Sequence, residues 1–141
     1  MSNVKTTVVQ RDRTREAIKG YEADLKKLVG RAGNLVRNTA VGSITQGSKS
    51  GVQYELYNPR RTHKSSAAGE PPASDTGYLV NNIFLNVDSD GLGASVESRA
   101  EYSVFLEFGT QKMAARPFLQ PALEENKSKI RRLEKQMVKF K

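Results

Sequence analysis

Apolar residues recur at two periods along this chain. From about Asp12 to Thr39, Ile18, Tyr21, Leu25, Leu28, Ala32 and Leu35 fall at steps of three and four, and Val29 and Val36 widen the stripe. This is the period of an amphipathic helix, with Asp12 as its N-cap and Arg, Lys and Glu on the other face. Gly20, Gly30 and Gly33 interrupt it. Each costs about 1 kcal/mol of helix stability against Ala, so their presence predicts close packing on another element, with the C-terminal helix as the candidate. A second helical stripe runs through Leu119, Leu123, Ile130, Leu133, Met137 and Phe140, broken by Asn126. Glu124 and Glu125 near its start and Lys135, Lys139 and Lys141 near its end follow the order the helix dipole favours.

A period of two appears between these helices. Val52, Tyr54 and Leu56 alternate with polar residues. With Ser43–Gln46 and the turn-rich Gly47–Gly51 before them, they predict one β-hairpin. Ile83–Val87 and Leu92–Glu97, joined by Asp88-Ser89-Asp90-Gly91, predict a second. A short helix around Gly77–Asn82 has Asp75 or Thr76 as its cap. Near the start, Thr6–Val9 has strand propensity but no partner nearby. Residues Asn58–Thr76 follow neither period. So long a loop, beyond about 12–15 residues, is either a mobile surface segment or a functional one. Arg60, Arg61, His63 and Lys64 make its front basic, and Pro71-Pro72 stiffen its back.

The strongest punctuation lies at Tyr102–Leu123. Tyr102, Phe105 and Phe108 are spaced as on a helix, with Leu106 beside them, and Gly109 follows where helices commonly end. Thr110 to Arg116 form a polar link, and Pro117 marks a new helix start, which places Pro121 in the first turn or at a second start. The aromatic residues around the link have two readings: a core stitched across the corner, or a subunit contact that includes Met113. Glu107, set between apolar neighbours, has Arg116 or the Gly109–Thr110 turn as its partner. The whole pattern predicts a single α+β domain over residues 1–141. Its two hairpins form an antiparallel sheet packed against the long N-terminal and C-terminal helices, which share one sheet face.

Composition narrows the function. A hydrophobic content of 37% is low, so either part of the chain stays extended or loose or some residues order only in an assembly. A net charge of +8 suits either polyanionic or acidic partners or Lys-rich faces that are simply solvated. With no Cys and one His, thiolate chemistry, disulfides and Cys-rich zinc sites are excluded. Asp88 and Asp90 do not begin a calcium loop, because Arg99 holds its twelfth position. No apolar run has the ~18 residues of a membrane span or the pattern of a signal peptide. No nucleophile elbow, phosphate loop or metalloprotease motif is present, so no catalytic residue, metal or cofactor is assigned.

The Tyr102–Leu123 stretch resembles the signature of the tail-completion or neck proteins of long-tailed, non-contractile bacteriophages. Glu107, Phe108, Gly109, Thr110, Arg116, Pro117, Phe118, Leu119, Pro121 and Ala122 match it, while Ser103 stands where Ala is commoner. Upstream, Gly69–Ala73 and Asp75–Leu79 resemble the family's Gly-x-Pro-Pro and Thr-Gly-x-Leu segment, and the likeness covers roughly residues 10 to 135. The resemblance implies a non-enzymatic virion protein, assembled in the host cytoplasm. It forms a ring at the head–tail junction between the head-closure and tail-terminator or tail-tube proteins, around the DNA channel. Six copies are expected, with twelve as the alternative. On this reading Tyr102, Phe105, Glu107, Phe108, Gly109, Thr110, Met113, Arg116, Pro117 and Phe118 lie at one subunit contact. The basic Arg60, Arg61, His63 and Lys64 face the DNA channel or a neighbour. The competing reading, from charge alone, is a nucleic-acid-binding module.

Overall fold

Burial, more than propensity, sets where the first helix of this chain ends. The computed structural model describes residues 13–139. In chain order they form α1 (Thr14–Thr45), β1 (Gln53–Tyr57), β2 (Arg60–Lys64), α2 (Tyr78–Asn81), β3 (Ile83–Val87), β4 (Ala94–Ser98), α3 (Ser103–Phe108) and α4 (Leu119–Lys139). The class is α+β, with a long helix at each end and two antiparallel hairpins between them. The Thr6–Val9 run and the N-cap Asp12 lie outside the described residues, and Arg13 precedes α1 without a side-chain cap bond.

The strand predicted at Ser43–Gln46 is instead the end of α1. Val36, Ala40 and Ile44 recur every fourth residue and are all buried, Ile44 to 2% exposure. A β-branched residue in a helix costs a few tenths of a kcal/mol, whereas burying Ile contributes roughly 1.5–3 kcal/mol. Burial wins. The hydroxyls of Ser43 and Thr45 are satisfied within the helix, donating to the carbonyls of Ala40 and Val41 at 2.7 and 2.9 Å. The first half of the stripe behaves differently: no α1 residue before Gly33 is buried, and Ile18 is 52% exposed.

With Ser43–Gln46 helical, β1 finds its partner downstream. It pairs antiparallel with β2, from Gln53 opposite Lys64 to Tyr57 opposite Arg60, across the cis Asn58-Pro59 bond. The loop predicted over Asn58–Thr76 is therefore shorter, since its basic front is a strand. Period-two reading misses β2 because none of its five side chains is apolar; the backbone ladder makes it a strand. What remains of the loop is tied down. The Glu70 carboxylate accepts bonds from the Ser50 hydroxyl, from Ser50 N at 3.1 Å and from Ala67 N at 2.9 Å. These donors, the Ser50 hydroxyl foremost, hold its pKa down to about 2. The Lys49 ammonium donates to the carbonyls of Ser43 and Pro71 at 2.8 and 3.0 Å, and burial pushes its pKa down. Asp75 does not cap α2; it binds Arg61, while Thr76 Oγ1 accepts from Tyr78 N at 3.4 Å.

β3 and β4 pair from Ile83 opposite Ser98 to Val87 opposite Ala94, and the two hairpins remain separate two-stranded sheets. α1 is the shared support. β3 and β4 pack on it and α4 packs along it, so α4 joins the fold chiefly through α1 and does not share a sheet face with it. Gly33 explains the close approach: a Cβ there would stand 2.4 Å from Leu85 Cδ1 of β3. The glycine therefore faces the hairpin, not the C-terminal helix, and Gly20 and Gly30 have nothing within 4 Å. Val36, Ala40, Ile44, Leu79, Ile83, Ala100, Phe118 and Ala122 form the core. Asn126, fully buried, donates from Nδ2 to Thr39 Oγ1 and the Ala122 carbonyl, both at 2.8 Å, which pins the register of α4 on α1.

Candidate functional site

The Tyr102–Leu123 stretch folds as α3, a link and the first turn of α4. Gly109 ends α3, its N–H donating to the Phe105 carbonyl at 2.8 Å. Its φ is +75°, and a Cβ would meet Ala115 N at 2.8 Å and Met113 O at 2.9 Å. Only glycine allows the link to fold back this tightly. Thr110 closes the link: its N–H donates to Met113 O at 2.8 Å, and its hydroxyl accepts from Met113 N at 3.1 Å. Arg116 N donates to Leu106 O at 2.6 Å, returning the chain to α3.

Glu107 joins the two helices. Its carboxylate accepts the backbone N–H groups of Phe118, Leu119 and Gln120 at 2.9, 3.1 and 2.8 Å. A helix start leaves four N–H groups without a helical partner. Here three go to Glu107, and the fourth position is Pro121, which has none. The partners predicted for Glu107 are thus corrected, because it binds neither Arg116 nor the Gly109–Thr110 turn. Arg116 Nη1 instead approaches Met113 Sδ at 3.8 Å. Pro117 lies two residues ahead of α4, so Pro121 is the proline of the first turn.

The structure divides the residues predicted at a subunit contact. Phe118 is removed from that surface: it is 1% exposed and belongs to the chain's own core. Met113, Glu107, Gly109, Arg116 and Pro117 are half-buried within the corner, and Thr110 is exposed. Tyr102 is exposed and lies 6.1 Å from the Tyr78 ring, tilted by 32°. Phe105 and Phe108 are 54% and 80% exposed, and no residue of α3 is buried. The physical reason is that half-buried Leu106, packed on the core, and the hydrogen bonds of the link and Glu107 hold this short helix, leaving the rings of Phe105 and Phe108 outside the core.

Val104 and Phe108, one turn apart, border a cleft of about 630 Å³ between α1, β4, α3 and α4. Val29, Val36, Val96, Leu119 and Ile130 give it an apolar lining. Sequence reasoning does not find this cleft, because its walls come from four separate elements. Glu107 is the one ionisable side chain among its lining residues, and three amides occupy its carboxylate.

The four basic residues predicted to act together are split by strand alternation. Arg60 and Lys64 are exposed. Arg61 binds the Asp75 carboxylate, with Nη2 at 2.8 Å, and His63 Nδ1 lies 3.9 Å from the same oxygen. A pair this exposed contributes about 0–1 kcal/mol. A larger cationic surface is the outer face of α4, where Lys127, Lys129, Arg131, Arg132 and Lys135 are exposed. Among the described residues, no cluster of His, Asp and Glu is placed to hold a metal ion, and no helix is long and apolar enough to cross a membrane. No family model, curated protein or solved structure matches the chain.

Proposed function

We propose that this chain is a non-enzymatic structural protein of a long-tailed, non-contractile bacteriophage. Its copies form a ring at the head–tail junction of the virion, joining the head-closure proteins to the tail terminator or tube around the DNA channel. The observation that carries this reading is α3: a six-residue helix that packs only Leu106 against the core and leaves Val104, Phe105 and Phe108 exposed, Phe108 to 80% beside an open apolar cleft. Exposed apolar patches of this kind mark sites of association. This one falls in the segment that resembles the neck-protein signature, so both lines of argument meet at the same residues. Glu107 and Gly109 hold the corner rigid, which lowers the entropy lost on docking.

The test is the mass of the isolated protein, alone and mixed with head-closure and tail-tube proteins. A ring of six, or of twelve, is the expected product in at least one mixture. A chain that stays monomeric in all of them removes the proposal. The exposed cations of α4 favour a second reading, a nucleic-acid-binding module. Duplex binding that weakens steeply with salt supports that module, and a shallow response supports the ring.

A further inference from the structure

Two strand edges in this chain are open, and they complement each other. Among the described residues β4 pairs only with β3, and β1 only with β2. An unpaired edge offers a row of backbone N–H and C=O groups to a further strand. The open edge of β4 borders the apolar cleft. Ala94, Ser95 and Val96 all line it, and consecutive strand residues point to opposite faces, so the strand meets the cleft edge-on. No residue of β3 lines the cleft, and Leu119 and Leu123 of α4 form the opposite wall.

β1 has the complementary properties. It is five residues long, as β4 is. Tyr54 is 52% exposed and shares a face with Leu56, and Tyr57 is 76% exposed on the other. An isolated two-stranded hairpin is marginal in water and gains from a third strand. Charge selects the pairing. The β1–β2 hairpin carries the exposed cations Arg60 and Lys64, and Arg61 paired with Asp75, against the single acid Glu55, whereas the β3–β4 hairpin, Ile83–Ser98, holds Asp88, Asp90 and Glu97 and no Lys or Arg. The basic β1–β2 hairpin and the acidic β3–β4 hairpin attract, whereas two β1–β2 hairpins repel.

We infer that β1 of one copy adds to the open edge of β4 in the next. The result is a four-stranded sheet ordered β2–β1–β4–β3 across the subunit boundary, with Tyr54 and Leu56 entering the cleft and Phe108 covered. Main-chain bonds supply the affinity and the cleft supplies the specificity, as in other strand-addition contacts. Two different patches meet, so the contact is head-to-tail and closes into a ring or continues as a filament. The inference rests on the assembly reading above and adds which surfaces meet.

The chain contains no Cys, so introduced thiols report the contact without background. Full-length Glu55→Cys and Ser95→Cys chains are treated with a short bis-maleimide, separately and mixed. The expected result is a covalent dimer in the mixture and none in either variant alone. Ala94→Lys, at an exposed edge position, is expected to leave the circular dichroism spectrum unchanged and to raise the assembly midpoint roughly tenfold or more. Assemblies that form without the mixed cross-link, or that cross-link within one variant, overturn the strand pairing while leaving the ring reading in place. A chain monomeric at every concentration, with and without head-closure and tail-tube proteins, overturns both.

Discussion

Glu107→Ala tests the joint between α3 and α4. The substitution removes the acceptor of three amides in the first turn of α4. The Phe118 N–H belongs to a residue only 1% exposed, and leaving a buried donor unpaired costs about 1–3 kcal/mol. Leu119 and Gln120 lie progressively nearer solvent, so water replaces part of what they lose. The carboxylate's charge at the helix start contributes a further ~0.3–1 kcal/mol. We therefore expect a loss of about 3 kcal/mol, above the ~1 kcal/mol of an ordinary N-cap replaced by Ala. At about 3 °C per kcal/mol for a chain of this length, the melting temperature falls by roughly 9 °C. Glu107→Gln keeps an acceptor oxygen and loses about 1–2 kcal/mol. Urea unfolding followed by circular dichroism measures both, as midpoint shifts at constant slope. Glu124→Ala is the control, because that carboxylate reaches Lys127 at 2.6 Å and the Gln120 side chain at 3.0 Å on an exposed surface. It should change stability by no more than about 0.5 kcal/mol. A Glu107→Ala chain no less stable than this control would refute the capping argument.

Phe118→Ala, which empties a buried core position, should cost about 3–5 kcal/mol in urea unfolding, whereas Phe108→Ala, at an exposed ring, should leave stability within about 0.5 kcal/mol and weaken assembly measured by light scattering. Gly30→Ala, with open space at the new Cβ, should gain up to ~1 kcal/mol. Gly33→Ala should forfeit that gain and lose about 1 kcal/mol net, because its Cβ collides with Leu85; equal thermal shifts for the two glycine variants would contradict the packing. Glu70, lowered to about 2 from 4.5, contributes stability that is full above pH 4.5 and lost as pH falls through 2. Glu70→Gln should therefore flatten the pH dependence of the urea midpoint across that window.

The residues most visible in the linear pattern were those whose partners are local. β3, β4 and their Asp-Gly turn need only alternation and a glycine at φ +74°. The apolar period of α4, with Glu124 near its start and Lys135 near its end, announces a helix without reference to anything else. The stop at Gly109 is equally local. Those elements, and hence the α+β class, follow from short-range sterics and periodicity.

Tertiary structure decided the rest, because the deciding energies act between distant residues. Ile44 reads as a strand residue until its burial beside Val36 and Ala40 is known, and that burial outweighs its propensity. Polar β2 becomes a strand only because β1, freed from Ser43–Gln46, pairs with it. Glu107 and Phe118 are eleven residues apart, and only the folded corner turns one into the cap and the other into core. The cleft beside Phe108 exists because α4 and the β3–β4 hairpin both pack on α1. No window of sequence contains all its walls. Local chemistry set β3, β4 and α4, whereas long-range burial and pairing set the end of α1, the strand β2 and which aromatic faces are left exposed.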